Sequence, residues 1–249
     1  MHKNLVIRWT FGENKARPIS LQSYDMLHCS VLFARRLFKN ARLVLCQNNL
    51  SRYSEKKIKS LLDHEIEIID CKNEHFNSEN KNSFWKYIPA RIDNNSWELL
   101  LDSDIVLWKI PETILNWIGS DKLLLNSDWN GSNYGYYENA NLPLGLNAGV
   151  IGFPPTYVVD LPNFEGFKDL FHSEQGFIVK SFTDSEKEVL TIPRTDIFQS
   201  NAKNYIHNPI KDLTDSFHGG HFCGCNYAHY QHWDKYYKDQ VWDKYYGSI

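Results

Sequence analysis

The residues best suited to chemistry are two carboxylates one residue apart. Asp102 and Asp104 follow the run Leu99-Leu100-Leu101, and Ile105-Val106-Leu107 comes directly after them. An unbroken aliphatic run reads as a strand buried on both faces, as in the middle of a parallel sheet. In extended backbone, residues two apart project to the same side, so both carboxylates would aim at one point just past the strand end. Ionised carboxylates held together at the edge of an apolar core repel, and burial penalises each charge further. A proton, an Arg or Lys, or a divalent cation must offset them. A hard cation takes oxygen ligands and leaves coordination positions for phosphate oxygens, which makes it the economical answer.

The elements that must position this pair follow from the pattern around it. Leu5-Val6-Ile7 with Trp9 predicts a first strand, and 10–18 a polar loop. A helix starts at Ser20, with Leu27, Val31, Ala34 and Phe38 at helical spacing. Residues 43–46 predict a second strand, 51–62 a short helix opened by Ser51, and 66–69 a third strand. This β-α-β-α-β order is the nucleotide-binding half of an open parallel sheet. No Gly-x-Gly-x-x-Gly follows the first strand, which weakens a dinucleotide reading. Residues 72–83 form a polar loop, and 84–92 read as helical with an irregular turn at Pro89. Beyond the acidic pair, Pro111 sits at the first turn of a helix over 112–117. Residues 122–126 predict a strand ending in Ser127-Asp128. The loop 129–143 is too long to be idle, 147–153 is a strand, Ser173 begins a helix, and 189–192 is a short strand.

Composition narrows the function classes. The 249 residues allow a sizeable core, and no linker or composition break divides them, so one domain over 1–249 is expected. The net charge of −3, with no Lys/Arg cluster, excludes a nucleic-acid partner. Aromatics at 14% suit sugar faces, interfaces and membrane surfaces alike. No window approaches the ~20 apolar residues of a membrane span. The start leads into a strand rather than a signal peptide, and the five cysteines, an odd number, read as reduced thiols; a cytoplasmic location is expected.

Four short motifs fall in order along the chain: Asp102-Ser103-Asp104, Asn147-Ala148-Gly149-Val150, Glu174-Gln175-Gly176 and His221-Phe222-Cys223-Gly224. Together they resemble the metal-dependent glycosyltransferases of the GT-A fold, and most of all family 8, with glycogenin and the bacterial lipopolysaccharide galactosyl- and glucosyltransferases. The resemblance runs from Leu5 to Gly224. It implies an α/β fold with a Rossmann-like, mixed but mostly parallel sheet flanked by helices. Within the domain, 1–110 would be the nucleotide-binding half, 111–225 the donor and acceptor half, and 226–249 an aromatic extension. It implies Mn²⁺ or Mg²⁺ held by Asp102, Asp104 and His221, with Ser103 in the same cofactor-binding loop. The donor would be a UDP-sugar and the acceptor a glycan, glycolipid or protein hydroxyl. Lys86 would face the phosphates or the sugar, and Asp128 would accept donor-sugar hydroxyls. Asn147 and Ala148 would line the sugar pocket, and Gly224 would let backbone approach the phosphates. Gln175 would lie by the anomeric carbon, as in members that retain configuration.

Two positions depart from the family pattern. Glu174 stands where Asp is usual, and Cys225-Asn226-Tyr227 replaces a Lys-Pro-Trp segment whose lysine neutralises the leaving diphosphate. A catalytically inactive, carbohydrate-binding relative is therefore one alternative. Asp102-Ser103-Asp104-Ile105-Val106 also fits the nucleophile motif of haloacid-dehalogenase-like phosphatases. That reading requires the motif on the first strand of the core and a later acidic pair. His218, His221, Cys223, Cys225, His229 and His232 form a possible zinc set with non-standard spacing. At the C-terminus Trp233-Asp-Lys-Tyr-Tyr237 recurs as Trp242-Asp-Lys-Tyr-Tyr246. Read as a helix, it offers an aromatic stripe for docking on the core or for a peripheral membrane contact.

Overall fold

Chain order and hydrophobic period translate directly into the central sheet. In a computed structural model, residues 4–13, 19–62, 66–71, 83–129, 133–163, 167, 170–200 and 212–223 are described. Strands β1 (Leu5–Gly12), β2 (Arg42–Asn48), β3 (Glu67–Asp70) and β4 (Trp97–Leu101) run parallel in the order β3-β2-β1-β4. Helices α1 (Leu21–Leu37) and α2 (Arg52–Leu62) make the crossovers. The sheet continues through β7 (Leu146–Phe153), β6 (Leu123–Ser127) and β8 (Val189–Ile192). Only β7 runs against the others, which makes the seven-stranded sheet mixed but mostly parallel, as expected. Chain direction reverses its lateral course at β1 and β4, the kind of switch point where open α/β sheets bind ligands beyond their strand ends.

β4 is the aliphatic run that precedes the acidic pair. Leu99 and Leu101 pack among the residues under α1 and α2, whereas Leu100 packs on the opposite face with Ile151, Phe153 and Ile178. Burial on both faces is what a strand between two neighbours requires.

Helix α1 is capped by Ser20, whose hydroxyl accepts from the Ser23 amide at 3.2 Å. Its predicted stripe of Leu27, Val31, Ala34 and Phe38 packs on the central sheet. A second stripe, Met26, Cys29 and Phe33, packs against Val106, Trp108, Phe198 and Phe222. These last residues belong to or adjoin a small three-stranded sheet of β5 (Ile105–Leu107), β10 (Gly219–His221) and β9 (Ile197–Gln199). Ser30 ties the layers together. It accepts from the Trp9 indole at 2.8 Å and donates to the Ile105 carbonyl at 2.5 Å.

Several boundaries differ from the sequence expectation for local reasons. β1 extends to Gly12 because Thr10, Phe11 and Gly12 continue the ladder with Cys46, Gln47 and Asn48. Only Phe84–Tyr87 is helical in the 84–92 stretch, as one 3-10 turn, and the next residues bend. Pro111 precedes α3 (Glu112–Trp117) as its cap rather than lying in its first turn. Helix α4 (Leu170–Asp184) begins before Ser173, which sets Glu174 and Gln175 one turn inside it. The 129–143 loop contains a 3-10 turn at Gly135–Tyr137, packed on α4 where Ser173 accepts from the Tyr136 amide at 2.9 Å. Among the described residues, no helix is long and apolar enough to cross a membrane.

Candidate metal and donor site

Asp102 is the first residue past β4, and the chain then turns. The Ile105 amide donates to the Asp102 carbonyl at 3.0 Å, closing a four-residue turn over 102–105. The two carboxylates therefore converge through this turn and not through the two-residue alternation of a strand, because the ladder of β4 has already ended. Ser103 lies buried within the turn.

His221 reaches the turn through the small sheet. β10 pairs antiparallel with β5 so that His221 stands opposite Ile105, and the Phe222 amide donates to the Asp104 carbonyl at 2.8 Å. One ligand atom from each of Asp102, Asp104 and His221 lies within 4.8 Å of the others, the single such cluster of His, Cys, Asp and Glu among the described residues. His221 Nε2 is 3.5 Å from Asp104 Oδ1, while its Nδ1 is buried with no hydrogen-bond partner. Two carboxylates and an imidazole that keeps one buried ring nitrogen without a hydrogen bond fit a divalent cation. Burial alone would lower the His221 pKa, but Cys223 and Asp104 outweigh it and hold the imidazole well above its usual range. Burial in turn pushes the Cys223 thiol up, against the pull of His221.

Lys86 stands on the other side of Asp102. Its ammonium lies 2.8 Å from Asp102 Oδ1 and 3.2 Å from Glu174 Oε1, and donates to the Ala148 carbonyl at 3.1 Å. Burial disfavours this ammonium, but Asp102 and Glu174 outweigh that and raise its pKa. Burial likewise raises the Glu174 carboxyl, with Lys86 opposing, and the buried Tyr87 hydroxyl donates to it.

The residues that the resemblance assigns to a sugar pocket, Asn147 and Ala148, sit at an irregularity between β6 and β7. The register jumps from Leu125 opposite Ile151 to Asn126 opposite Asn147, so Ala148, Gly149 and Val150 bow out of that ladder. Side chains replace the lost backbone partners. Asn126 Oδ1 accepts from the Val150 amide at 2.8 Å, and Asn147 Oδ1 accepts from the Gly149 amide at 2.7 Å. On the other edge the Asp102 amide donates to the Gly149 carbonyl at 2.8 Å, which locks the bulge to the acidic turn. Asn147 Nδ2 and the Ala148 amide both donate to Gln175 Oε1, at 3.1 and 3.4 Å. Gly149 is required here, since a Cβ on it would lie 2.9 Å from His221 Cε1 and 2.8 Å from Asn147 Oδ1.

Asp128 is buried just past β6, near enough to Cys223 for its charge to help hold that thiol protonated. The neighbouring Trp129 amide donates to Gln199 Oε1 at 2.9 Å, and Gln199 Nε2 donates to Cys223 Sγ at 3.6 Å. The structure thus assembles Lys86, Asp102, Asp104, Asn147, Ala148, Glu174, Gln175 and His221 in one connected site, with Asp128 next in sequence to the Trp129 that joins the Gln199–Cys223 link. Gly224, Cys225, His229, His232 and the 226–249 aromatics lie outside the described residues. His218 faces Asp196 at 3.6 Å instead. Sequence reading missed Tyr87, Asn126 and Gln199, and quoted Gly149 only as part of the Asn147–Val150 motif, with no role of its own. Asn126 carried a signal, as a buried polar residue at the end of an aliphatic strand.

No protein-family model and no curated protein sequence matches the chain. Solved structures do. The galactosyltransferase LgtC, in complex with donor and acceptor sugar analogs, is 15% identical over 88% of this chain and 87% of its own, with a TM-score of 0.58. Mouse xyloside xylosyltransferase 1, in its apo form, is 11% identical over 89% of this chain and 98% of its own, with a TM-score of 0.52. At these identities the likeness is one of architecture, and it agrees with the strand order, the single reversed strand and the acidic turn: the chain has the GT-A fold of nucleotide-diphospho-sugar transferases.

Proposed function

We infer that this chain is a metal-dependent glycosyltransferase, a single GT-A domain that moves a hexose from a UDP-sugar to a hydroxyl of a glycan, glycolipid or protein. The observation that carries the reading is the meeting of Asp102, Asp104 and His221 beyond β4, at the switch point of a GT-A sheet. Those three residues would hold Mn²⁺ or Mg²⁺. Bound there, the cation supplies Lewis-acid stabilisation of the negative charge that develops on the departing diphosphate.

The chain's own residues do the rest. Lys86, buried against the acidic turn, adds positive charge beside the diphosphate, which matters because the Lys-Pro-Trp lysine of family 8 is absent. Asn147, Ala148 and Asp128 bind and orient the sugar. Gln175 is pinned by Asn147 and the Ala148 amide before substrate arrives, so it presents a carboxamide at low entropic cost. A carboxamide in that place is a poor covalent nucleophile. Where configuration is retained, as the resemblance to family 8 implies, this favours same-face displacement through an oxocarbenium-like state over a covalent glycosyl–enzyme. The phosphatase reading loses support because the acidic turn follows the fourth strand of the chain, beside the reversed β7.

The test is thermal stability of the pure protein with UDP, GDP and CDP, each with and without MnCl₂. A ligand that binds the folded state raises its melting temperature by mass action. Stabilisation by UDP only with Mn²⁺, lost in Asp104→Asn, is expected, followed by release of UDP from UDP-hexoses. No nucleotide-dependent shift in any combination would overturn the reading. A Mn²⁺-dependent shift without turnover of any donor would favour the inactive, carbohydrate-binding alternative.

A further inference from the structure

The acidic turn already contains a cation of its own. Lys86 donates from one ammonium to three acceptors, Asp102 Oδ1, Glu174 Oε1 and the Ala148 carbonyl, which uses all of its hydrogens. Its side chain is 8% exposed, whereas that of Asp102 is 30% exposed. Asp102 is thus shared between a buried ammonium and an open side facing Asp104 and His221. The backbone of Lys86 cannot withdraw. Its carbonyl accepts from Arg8 Nη2 at 2.5 Å and from Thr10 Oγ1 at 3.4 Å, and Arg8 is itself ion-paired with Glu98 at 2.8 Å. Only the flexible four-carbon stem is free to change its seat.

We propose that Lys86 is a place-holder for the divalent cation: it neutralises Asp102 while the site is empty, and yields Asp102 to the cation by keeping its contacts with Glu174 and the Ala148 carbonyl and exchanging Asp102 for a nucleoside diphosphate. The inference rests on the metal and nucleotide reading above. Asp102 gives one oxygen to Lys86, and a cation bound to the same carboxylate places two positive charges side by side. The cation therefore competes with the ammonium for Asp102. Glu174 is the second seat, held ready by Tyr87. A diphosphate offers the displaced ammonium a new anionic partner, so cation and nucleotide bind with positive coupling, each tightening the other by the same factor. The extra methylene of Glu174 relative to aspartate suits it to reach Lys86 across the site.

Calorimetric titration of MnCl₂ into the full chain, alone and with saturating UDP, tests this. Lys86→Gln is expected to bind Mn²⁺ alone roughly tenfold more tightly than the unmodified protein and to lose most of the UDP-induced tightening. Glu174→Gln removes the second seat, and is expected to bind Mn²⁺ alone several-fold more weakly. If Lys86→Gln binds Mn²⁺ alone no better than the unmodified protein while Asp104→Asn still abolishes binding, the place-holder is wrong and the metal site stands. If Lys86→Gln does not fold, as circular dichroism would report, Glu174→Gln decides, and equal or tighter Mn²⁺ binding by it overturns the proposal. If Mn²⁺ does not bind with or without UDP, the underlying site reading fails and this inference with it.

Discussion

Glu98 and Asp102 sit near opposite ends of one strand and its edge, and each meets a buried cation, yet the two clusters differ in kind. Around Glu98 every charge is enclosed. Arg8 and Glu98 side chains are both 0% exposed, with Arg8 at 2.8 Å from one oxygen and Arg91 at 3.2 Å from the other. Arg91 spends its remaining hydrogens on the carbonyls of Pro154, Tyr157, Asp93 and Ser96. Arg8 donates to those of Pro89 and Lys86. Such a cluster has no opening for a ligand, and it staples the 86–91 segment across β1 and β4. Around Asp102 the same chemistry is left incomplete: a carboxylate partly open to solvent, a second carboxylate at the turn and an imidazole, with a single buried ammonium beside them. A closed ion cluster fixes geometry, and an open one awaits a charge from outside.

That contrast can be broken at either end. The largest effect is expected for Arg8→Met, which leaves buried Glu98 with Arg91 as its one cationic partner beside the Ile92 amide, and should cost about 3–5 kcal/mol of folding stability in urea denaturation. It should act without regard to Mn²⁺. Asp104→Asn should do the reverse. Its melting temperature without ligands should stay close to that of the unmodified protein, while Mn²⁺ affinity by calorimetry falls on the order of a hundredfold or more, beyond the loss typical of outer-shell changes.

Two glycines of β7 sharpen the comparison. Gly149→Ala presses on His221 and should lower Mn²⁺ affinity about tenfold with little change in fold, read by titration beside circular dichroism. Gly152→Ala, three residues on, would place its Cβ 2.6 Å from both Leu124 Cβ and Trp117 Cε2. It should cost about 1–3 kcal/mol of stability through overpacking and leave Mn²⁺ affinity intact. The smallest effect is expected for Tyr87→Phe, which removes the hydroxyl donated to Glu174, at about 1 kcal/mol in denaturant titration.

How much was legible can be argued from particular residues. The parallel half of the sheet was plain, because aliphatic runs at 43–46 and 66–69 alternate with helical patterns and local period reports local structure. The short strands Ile197–Gln199 and Gly219–His221 were not, since three residues carry too little pattern and two of the six are glycine. The second buried stripe of α1, Met26, Cys29 and Phe33, was passed over because one apolar stripe already explained the helix. Asn126 and Gln199 look like ordinary polar residues until the bulge and the Trp129–Cys223 gap give each carboxamide two partners.

Read along the chain alone, the residues already showed a buried strand ending in paired carboxylates whose charge a proton, a basic side chain or a cation must offset. Lys86, Glu174, Gln175 and His221 came forward only through the resemblance to family 8. Strand character and charge balance are properties of neighbouring residues, so they can be read along the chain. Only the tertiary structure decided that a turn, not strand alternation, brings Asp102 and Asp104 together. It alone decided that β10 lays His221 opposite Ile105, and that Lys86 already occupies one side of Asp102. Those facts depend on which distant segments pair and in what register. Register is set by the summed packing of both sheets against α1, which no single stretch of sequence contains.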